Sequence, residues 1–484
     1  MSVPHERMSR VDTAWLRMDT PENLMMIVGV WLLSPRLELE TLRQRVGERL
    51  LQYRRFTQRV VEDPMGAQWV NVPDFDLTDH VIAVDLEARP GQSRTDALKE
   101  HVAALTADPL DARLPLWQIQ LIQDVDGRSA MVSRIHHCIA DGIALISVML
   151  SITDGGLPPP VRRKRSEPES DEGEFDWVID TLVKPVTQLT MQTVKLASKG
   201  VSKGMDAFMH PDQPMDGTLH LARLGFQAVN DVSALAVMPN DSATRLKGKP
   251  GIAKRVAWND DLPLDRVKVV GKALMGSIND VLLSCVAGAI GEYLRSKGDD
   301  PTGLEIRAMV PVNLRPMDKA YQLGNRFGLV PLVLPIGIDN PVERLYAVRA
   351  RMHDLKGSFQ PLMAFGLLSV AGLLIKPVQH ALLGLFAKKA TAVMTNVPGP
   401  QKPLQFCGCT VDQVLFWVPQ SGDIGMGVSI LTYAGKVQFG LITDAGLCPD
   451  PQAIVDRLPG AFERLETLTL MLPWGEDQLE GLPG

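Results

Sequence analysis

Two adjacent histidines, His136 and His137, stand in the stretch Met131–Leu150, MVSRIHHCIADGIALISVML, with Asp141 four residues after the second. Neutral imidazole is the one unperturbed side chain that takes up a proton near pH 7, which is what deprotonating an alcohol or amine requires. A base of this kind contributes typically about 10²–10⁴-fold in rate. Asp141 orients the ring directly in one arrangement; in another it turns away and pins the loop through an arginine. A bare histidine pair is more often a satisfied core pair or a surface feature. The seven-residue pattern His136–Gly142 carries more weight than the pair alone.

The flanking elements position these groups. Met131–Ile135 reads as a strand, with β-branched Val132 and Ile135 and no Gly or Pro. Ile143–Leu150 is apolar throughout and fits a buried helix or a second strand. Asp141-Gly142 is a turn signal, and Asp141 is also a candidate helix N-cap. The imidazoles therefore sit on a turn held by a rigid strand, where reactive groups are commonly placed.

HHxxxDG, here HHCIADG, resembles the active-site signature of the CoA-dependent acyltransferase superfamily. That group includes chloramphenicol acetyltransferase, peptide-synthetase condensation domains and the bacterial wax ester synthase/diacylglycerol acyltransferases. Further landmarks resemble the last family. They are Met8–Trp31; Phe75-Asp76-Leu77 with His80-Val81; Pro115-Leu116-Trp117; and Asn279-Asp280-Val281. Then come Pro311–Arg315; Gly324-Asn325 with Leu334-Pro335; Asn396–Pro400; and Tyr433–Gly435 with Gly440 and Asp444. They run in family order over nearly the whole chain.

The resemblance implies an α/β protein of two chloramphenicol-acetyltransferase-like domains, with mixed sheets flanked by helices and an active-site channel between them. It implies that His137 is the general base. His137 would take the proton of a fatty alcohol, or of the free hydroxyl of a diacylglycerol, as that oxygen attacks the acyl-CoA thioester. No covalent acyl-enzyme is required, because holding both substrates together supplies much of the rate. His136 shapes the base, Asp141 is structural with Arg315 as its candidate partner, and Gly142 clears the pantetheine arm. Asn279 steadies the developing oxyanion, and Asp280 and Asn396 complete the substrate-binding set. The products are a wax ester or triacylglycerol and free CoA, so neither a metal nor a bound cofactor is implied. The expected location is cytoplasmic, at the inner face of a membrane or on lipid inclusions. Two alternatives stay open: a condensation-type or polyketide-associated enzyme using a carrier-protein donor, and a non-catalytic lipid-binding scaffold.

With 484 residues, 45% hydrophobic and 22% charged, the chain has material for two or three ordinary domains. A net charge of −6 argues against a general nucleic-acid binder. Five cysteines, including a lone Cys407-Gly-Cys409 without paired zinc spacing, fit a reducing compartment. The charged opening MSVPHERMSRVD has no apolar core of a secretory signal. No G-x-S-x-G, dinucleotide fingerprint, P-loop or zincin histidine spacing occurs, which disfavours those chemistries.

Along the chain the pattern predicts a strand at 26–33, a helix at 37–53, a helix at 92–108 and a strand at 116–123. These make a domain over 1–155. Arg54, Arg55 and Arg59 would meet a CoA phosphate or form a solvated face. Residues 156–215 are expected to be a linker and an amphipathic connection. Gly155–Gly173 holds three consecutive prolines, then four basic (Arg162–Arg165) and four acidic residues, and 175–209 has helical spacing. The remainder, 216–484, resumes α/β alternation. Asn279-Asp280 reads as an N-cap for a helix at 281–294, in which Gly288 and Gly291 permit close packing. A strand is predicted at 304–313. The apolar run 362–375, cut by Pro377, is too short to cross a bilayer and suits a buried helix pair or an interfacial hairpin. Thr395–Pro400 reads as a tight turn, followed by strands near 428–431 and 436–442 and a helix at 450–470.

Overall fold

The computed structural model describes residues 6–63, 66–156, 240–259, 262–314, 323–356 and 388–472. In chain order the first half gives β1 (Glu6–Arg7), α1 (Arg10–Arg17), β2 (Met26–Ser34), α2 (Leu39–Arg49), β3 (Gln58–Asp63) and β4 (Gly66–Asn71). It continues with β5 (Val81–Ala83), α3 (Arg94–Thr106), β6 (Trp117–Val125), β7 (Arg128–His136) and α4 (Gly142–Ser151). The second half gives β8 (Lys254–Trp258), β9 (Leu262–Pro263), α5 (Leu264–Ala273), α6 (Ile278–Ser296), β10 (Ile306–Asn313), β11 (Phe327–Leu334) and α7 (Pro341–Lys356). It ends with β12 (Ala392–Pro398), β13 (Gln405–Phe406), β14 (Cys409–Trp417), β15 (Met426–Tyr433), β16 (Lys436–Asp444), α8 (Gln452–Val455) and α9 (Arg457–Met471). The expected linker and helix over 157–209, the basic block Arg162–Arg165, Arg315 and the apolar run 362–386 lie outside the described residues.

Two mixed sheets carry the molecule, with a small β1-β4-β3 sheet beside them. The first has the order β13-β14-β2-β7-β6-β5 and the second β11-β10-β12-β15-β16-β8, with β9 also on β16. In the first sheet β7 lies between β2 and β6 and is buried from Ser129 to His136. Gly29 is needed in β2 because a Cβ there would stand 3.0 Å from Ser133 Oγ on β7.

Sheet membership does not follow the expected division of the chain. Strands β13 and β14 belong by sequence to the second half, yet β14 pairs antiparallel with β2, Trp417 opposite Val28. The first sheet is therefore completed by residues 405–417.

Helix α6 is the centre of the second core. It is buried along nearly its whole length, against β10, β15, β16, α7 and α9. Its glycines mark two close approaches. A Cβ at Gly288 would reach the Arg344 guanidinium, and one at Gly291 would overlap the Ile336 carbonyl. Among the described residues no single helix is long and apolar enough to cross a membrane. Helices α5 and α6 pass that test only as a pair, bent by 100°.

Several local expectations are corrected. Helix α2 ends at Arg49 and continues as two short 3₁₀ turns, Leu50–Gln52 and Arg54–Phe56. Of the two readings left open for the apolar run after Gly142, the helix is the one formed, α4. The cap of α6 is Ser277, one turn earlier than expected. Its hydroxyl accepts from Asp280 N at 3.2 Å while its own N–H donates to the Asp280 carboxylate at 2.7 Å. This is a reciprocal capping box. Residues 395–398 are strand, the end of β12, and not a turn. Gly399 serves there by clearance, since a Cβ would stand 2.5 Å from the Thr432 carbonyl. The terminal helix is broken at Asp456 into α8 and α9.

Candidate active site

The loop joining β7 to α4 is held from three sides. His137 N–H donates to the Met25 carbonyl at 2.7 Å, which ties it to the start of β2. Asp141 caps α4, its Oδ1 accepting from Ala144 N at 2.9 Å. Its other oxygen accepts from Arg326 N at 3.0 Å, and its own N–H reaches the Gly324 carbonyl at 3.3 Å. Asp141 thus clamps the loop to the second half of the chain. The expected partner Arg315 lies outside the described residues, and backbone N–H groups hold the carboxylate here.

His136 and His137 point to different neighbours. Cys138 N–H donates to His136 Nδ1 at 3.1 Å, so that nitrogen carries a lone pair. The proton then sits on Nε2, which lies 3.2 Å from Asp19 Oδ2. Asp19 also accepts from Met25 N through Oδ1, binding the loop that follows α1 to the same strand end. His136 is consumed in building the turn.

His137 is buried, only 5% exposed, and its ring lies flat on Trp15 of α1. Phe327, the first residue of β11, tilts against its other neighbours at a centroid distance of 5.5 Å from both His137 and Trp15. Trp15 and Phe327 belong to a small apolar cluster with Val11, Met18 and Met25. Burial holds the imidazole below its ordinary pKa, against the attraction of the nearby Asp141 carboxylate. The ring is neutral at pH 7. Nδ1 is enclosed and unpartnered, whereas Nε2 is not enclosed in this way.

Beneath the ring runs a polar chain that the sequence reading did not single out. Asn325 Nδ2 donates to the His137 carbonyl at 2.7 Å and to Asp12 Oδ1 at 2.7 Å; its N–H also reaches Asp12 Oδ1, at 3.1 Å. Asp12, 1% exposed, pairs with Arg55 at 3.1 Å. Arg55 donates onward to the Ile139 carbonyl at 2.7 Å and lies over the Trp69 ring. Burial raises the Asp12 pKa, with Arg55 opposing. Arg55 is thus neither on a solvated face nor free for a phosphate. Gly324, at φ +115°, makes the bend that brings Asn325 inward.

The remaining predicted residues divide. Asn279, exposed on the first turn of α6, accepts through Oδ1 from Asn396 Nδ2 at 2.7 Å, so these two are brought together. No described hydrogen bond joins this pair to His137. Asp280 is committed to the Ser277 box and is buried. Gly142 opens α4, and a Cβ there would meet nothing within 4 Å. Asp12, Trp15 and Asn325 fall inside stretches noted above only as landmarks. An acidic residue three positions after Ser9 looks like an ordinary solvated first-turn acid, and nothing local marks it as buried.

Fold and loop together define a two-domain acyltransferase of the chloramphenicol-acetyltransferase-like class. Residues 8–282 match the wax ester synthase/diacylglycerol acyltransferase catalytic domain, and 323–466 match the corresponding C-terminal domain. The chain belongs to the wax ester synthase/diacylglycerol acyltransferase family. It is 28% identical to tgs1 of Mycobacterium tuberculosis, a probable diacylglycerol O-acyltransferase, over 90% of each chain. It is 27% identical to the O-acyltransferase WSD of Acinetobacter baylyi, over 83% of each. Its fold superimposes on the wax ester synthase/diacylglycerol acyltransferase of Marinobacter aquaeolei with a TM-score of 0.64. That match has 19% identity and covers 96% of this chain and 99% of the other.

Proposed function

We propose that the protein transfers a long-chain acyl group from acyl-CoA to the hydroxyl of a fatty alcohol or diacylglycerol, with His137 as general base. The observation that carries this reading is the state of His137: neutral, stacked on Trp15, with Nε2 as its less enclosed nitrogen. Nε2 takes the hydroxyl proton as the oxygen attacks the thioester carbonyl. The tetrahedral adduct then expels the CoA thiolate, which recovers that proton. The products are the ester and free CoA. The reaction is a direct transfer whose reactants are all substrates, so we assign it neither a metal nor a bound cofactor.

The other residues follow from this step. Asp141 holds the loop through α4 and Arg326 N and takes no proton. The open space at Gly142 admits the pantetheine arm. Asn279, oriented by Asn396, directs its NH₂ toward the developing oxyanion, an interaction worth about 10²–10³ in rate in comparable sites. Substrates this apolar place the enzyme at a lipid surface, the inner face of a membrane or a lipid inclusion, in the cytoplasm.

The test is thiol release from palmitoyl-CoA with hexadecanol and with dipalmitoylglycerol as separate acceptors, followed by chromatography of the lipid product. Acceptor-dependent release with a matching ester is expected. His137→Ala is expected to lose at least about 10² of that rate while still binding acyl-CoA. Full activity in that variant sinks the assignment. Release only from acyl carrier protein moves the donor to that class.

A further inference from the structure

Away from His137, a small polar cavity lies at the seam between the two large sheets. Its volume is about 20 Å³, and its lining includes Asn23, Met26 of β2, Lys254 of β8, Trp417, Gln420 and Ile442 of β16. Among the described residues, three polar atoms of that lining are buried with no hydrogen-bond partner: Asn23 Oδ1, Trp417 Nε1 and Gln420 Nε2. Two glycines keep the floor clear. A Cβ on Gly427 would stand 2.9 Å from Gln420 Nε2, and one on Gly440 would stand 3.1 Å from Trp417 Nε1. Gly427 lies opposite Ile442, and Gly440 opposite Ser429. The two N–H groups therefore stand over neighbouring positions on one face of β15 and β16. The Asn23 amide is held in one orientation, because its Nδ2 donates to the Gly422 carbonyl at 2.9 Å and leaves Oδ1 as an acceptor.

Buried polar groups are nearly always satisfied, so three orphans around one cavity call for an occupant. The lining selects its chemistry. A cation would meet a single amide oxygen, two N–H groups and the Lys254 ammonium. An anion would meet Asn23 Oδ1 and the Asp444 carboxylate, which already pairs with Lys254 at 3.3 Å. An apolar group would satisfy none of the three. Water both donates and accepts, and it needs about 10–15 Å³ of such space. We propose that one ordered water molecule binds in this cavity, donating to Asn23 Oδ1 and accepting from Gln420 Nε2 and Trp417 Nε1. About three hydrogen bonds is the usual complement of a buried water. Asn23 precedes β2, whereas Trp417 ends β14 and Gln420 follows it. The water thus extends the direct bond from Asn23 to Gly422 and staples two segments nearly 400 positions apart in sequence. This site is independent of the acyl-transfer reading.

The experiment is a crystal structure of the full native chain at a resolution that shows ordered solvent. A peak within about 3.2 Å of Asn23 Oδ1, Gln420 Nε2 and Trp417 Nε1 is expected, refining as a fully occupied water. No peak there overturns the proposal, and this measurement needs no variant to fold. Crystals grown with bromide in place of chloride are expected to give no anomalous signal at that position. Such a signal overturns the proposal in favour of an anion site. Gln420→Met keeps the length of the side chain and removes its N–H donor. Its crystals are expected to show the peak lost or much reduced, and a peak unmoved at full occupancy also overturns the assignment.

Discussion

Trp15 and His137 lie face to face, their ring centroids 4.1 Å apart and their planes 14° from parallel. One ring comes from the first helix of the chain and the other from the turn after β7. The indole therefore acts as a wall that excludes water and fixes the plane of the imidazole. Stacks of this kind contribute about 0.5–1.5 kcal/mol beyond the area they bury.

Removing that wall costs stability and rate together. Trp15→Ala is expected to lose about 3–5 kcal/mol of folding free energy, measured by urea denaturation, and most of the activity. Trp15→Phe keeps a ring against His137 and removes an indole N–H that is buried without a partner. It is expected to lose far less of both.

The lowered pKa of His137 makes a pH prediction with a definite sign. The unfolded chain protonates this histidine near pH 6.5, while the folded protein resists until lower pH. Between those limits the unfolded state binds more protons at this site, so the contribution of His137 to stability falls as pH drops below about 6.5, while His136, whose pKa is raised to about 10, acts the other way. His80 is also depressed by burial and acts in the same direction as His137. Thermal melts at pH 7.5 and 5.5 should show a larger decrease for the native protein than for His137→Ala. The kcat/KM profile should stay flat well below pH 6.5 and decline only as the pH approaches the folded-state pKa, lowered to about 4.

The Asp12–Arg55 pair predicts a cost out of proportion to one ion pair. Arg55→Ala strands a carboxylate that is 1% exposed, and breaking a buried pair from one side costs about 3–5 kcal/mol. Calorimetry should show that loss. Asp12→Asn combined with Arg55→Met should recover much of it, because no unpaired charge remains.

Asn279 gives the opposite signature. Its side chain is exposed on the first turn of α6, so Asn279→Ala should leave the melting temperature within about 1 °C, within the usual surface effect. Thiol release should fall by about 10² if its NH₂ serves the oxyanion. An unchanged rate would remove it from the site.

The legible parts of the fold were those written in short-range apolar pattern. β2, β7, α3, α6 and β16 fall close to where periodicity places them, and the HHCIADG turn announces the site. The illegible parts depend on distance. Asp12 and Asn325 are 313 positions apart, and no local signal pairs them. Ser277 takes the cap of α6 from Asn279 because Asp280 can close the reciprocal bond, a choice between neighbouring residues that propensity alone does not make. Pro398 reads as a turn former, yet it can end a strand, where the missing N–H costs least.

The pairing of β14 with β2 also has a consequence for how the protein is made. During synthesis β2, β7 and β6 emerge early, but the strand that covers the outer side of β2 arrives only when Trp417 has left the ribosome. At about 5–20 residues per second that is a wait of tens of seconds. Throughout it, MIVGVWLLS presents an open, apolar edge of the kind that recruits strands from other chains. Truncated products ending before residue 405 should therefore aggregate through β2. A separately supplied peptide spanning 405–417 would be the natural molecule to keep them soluble.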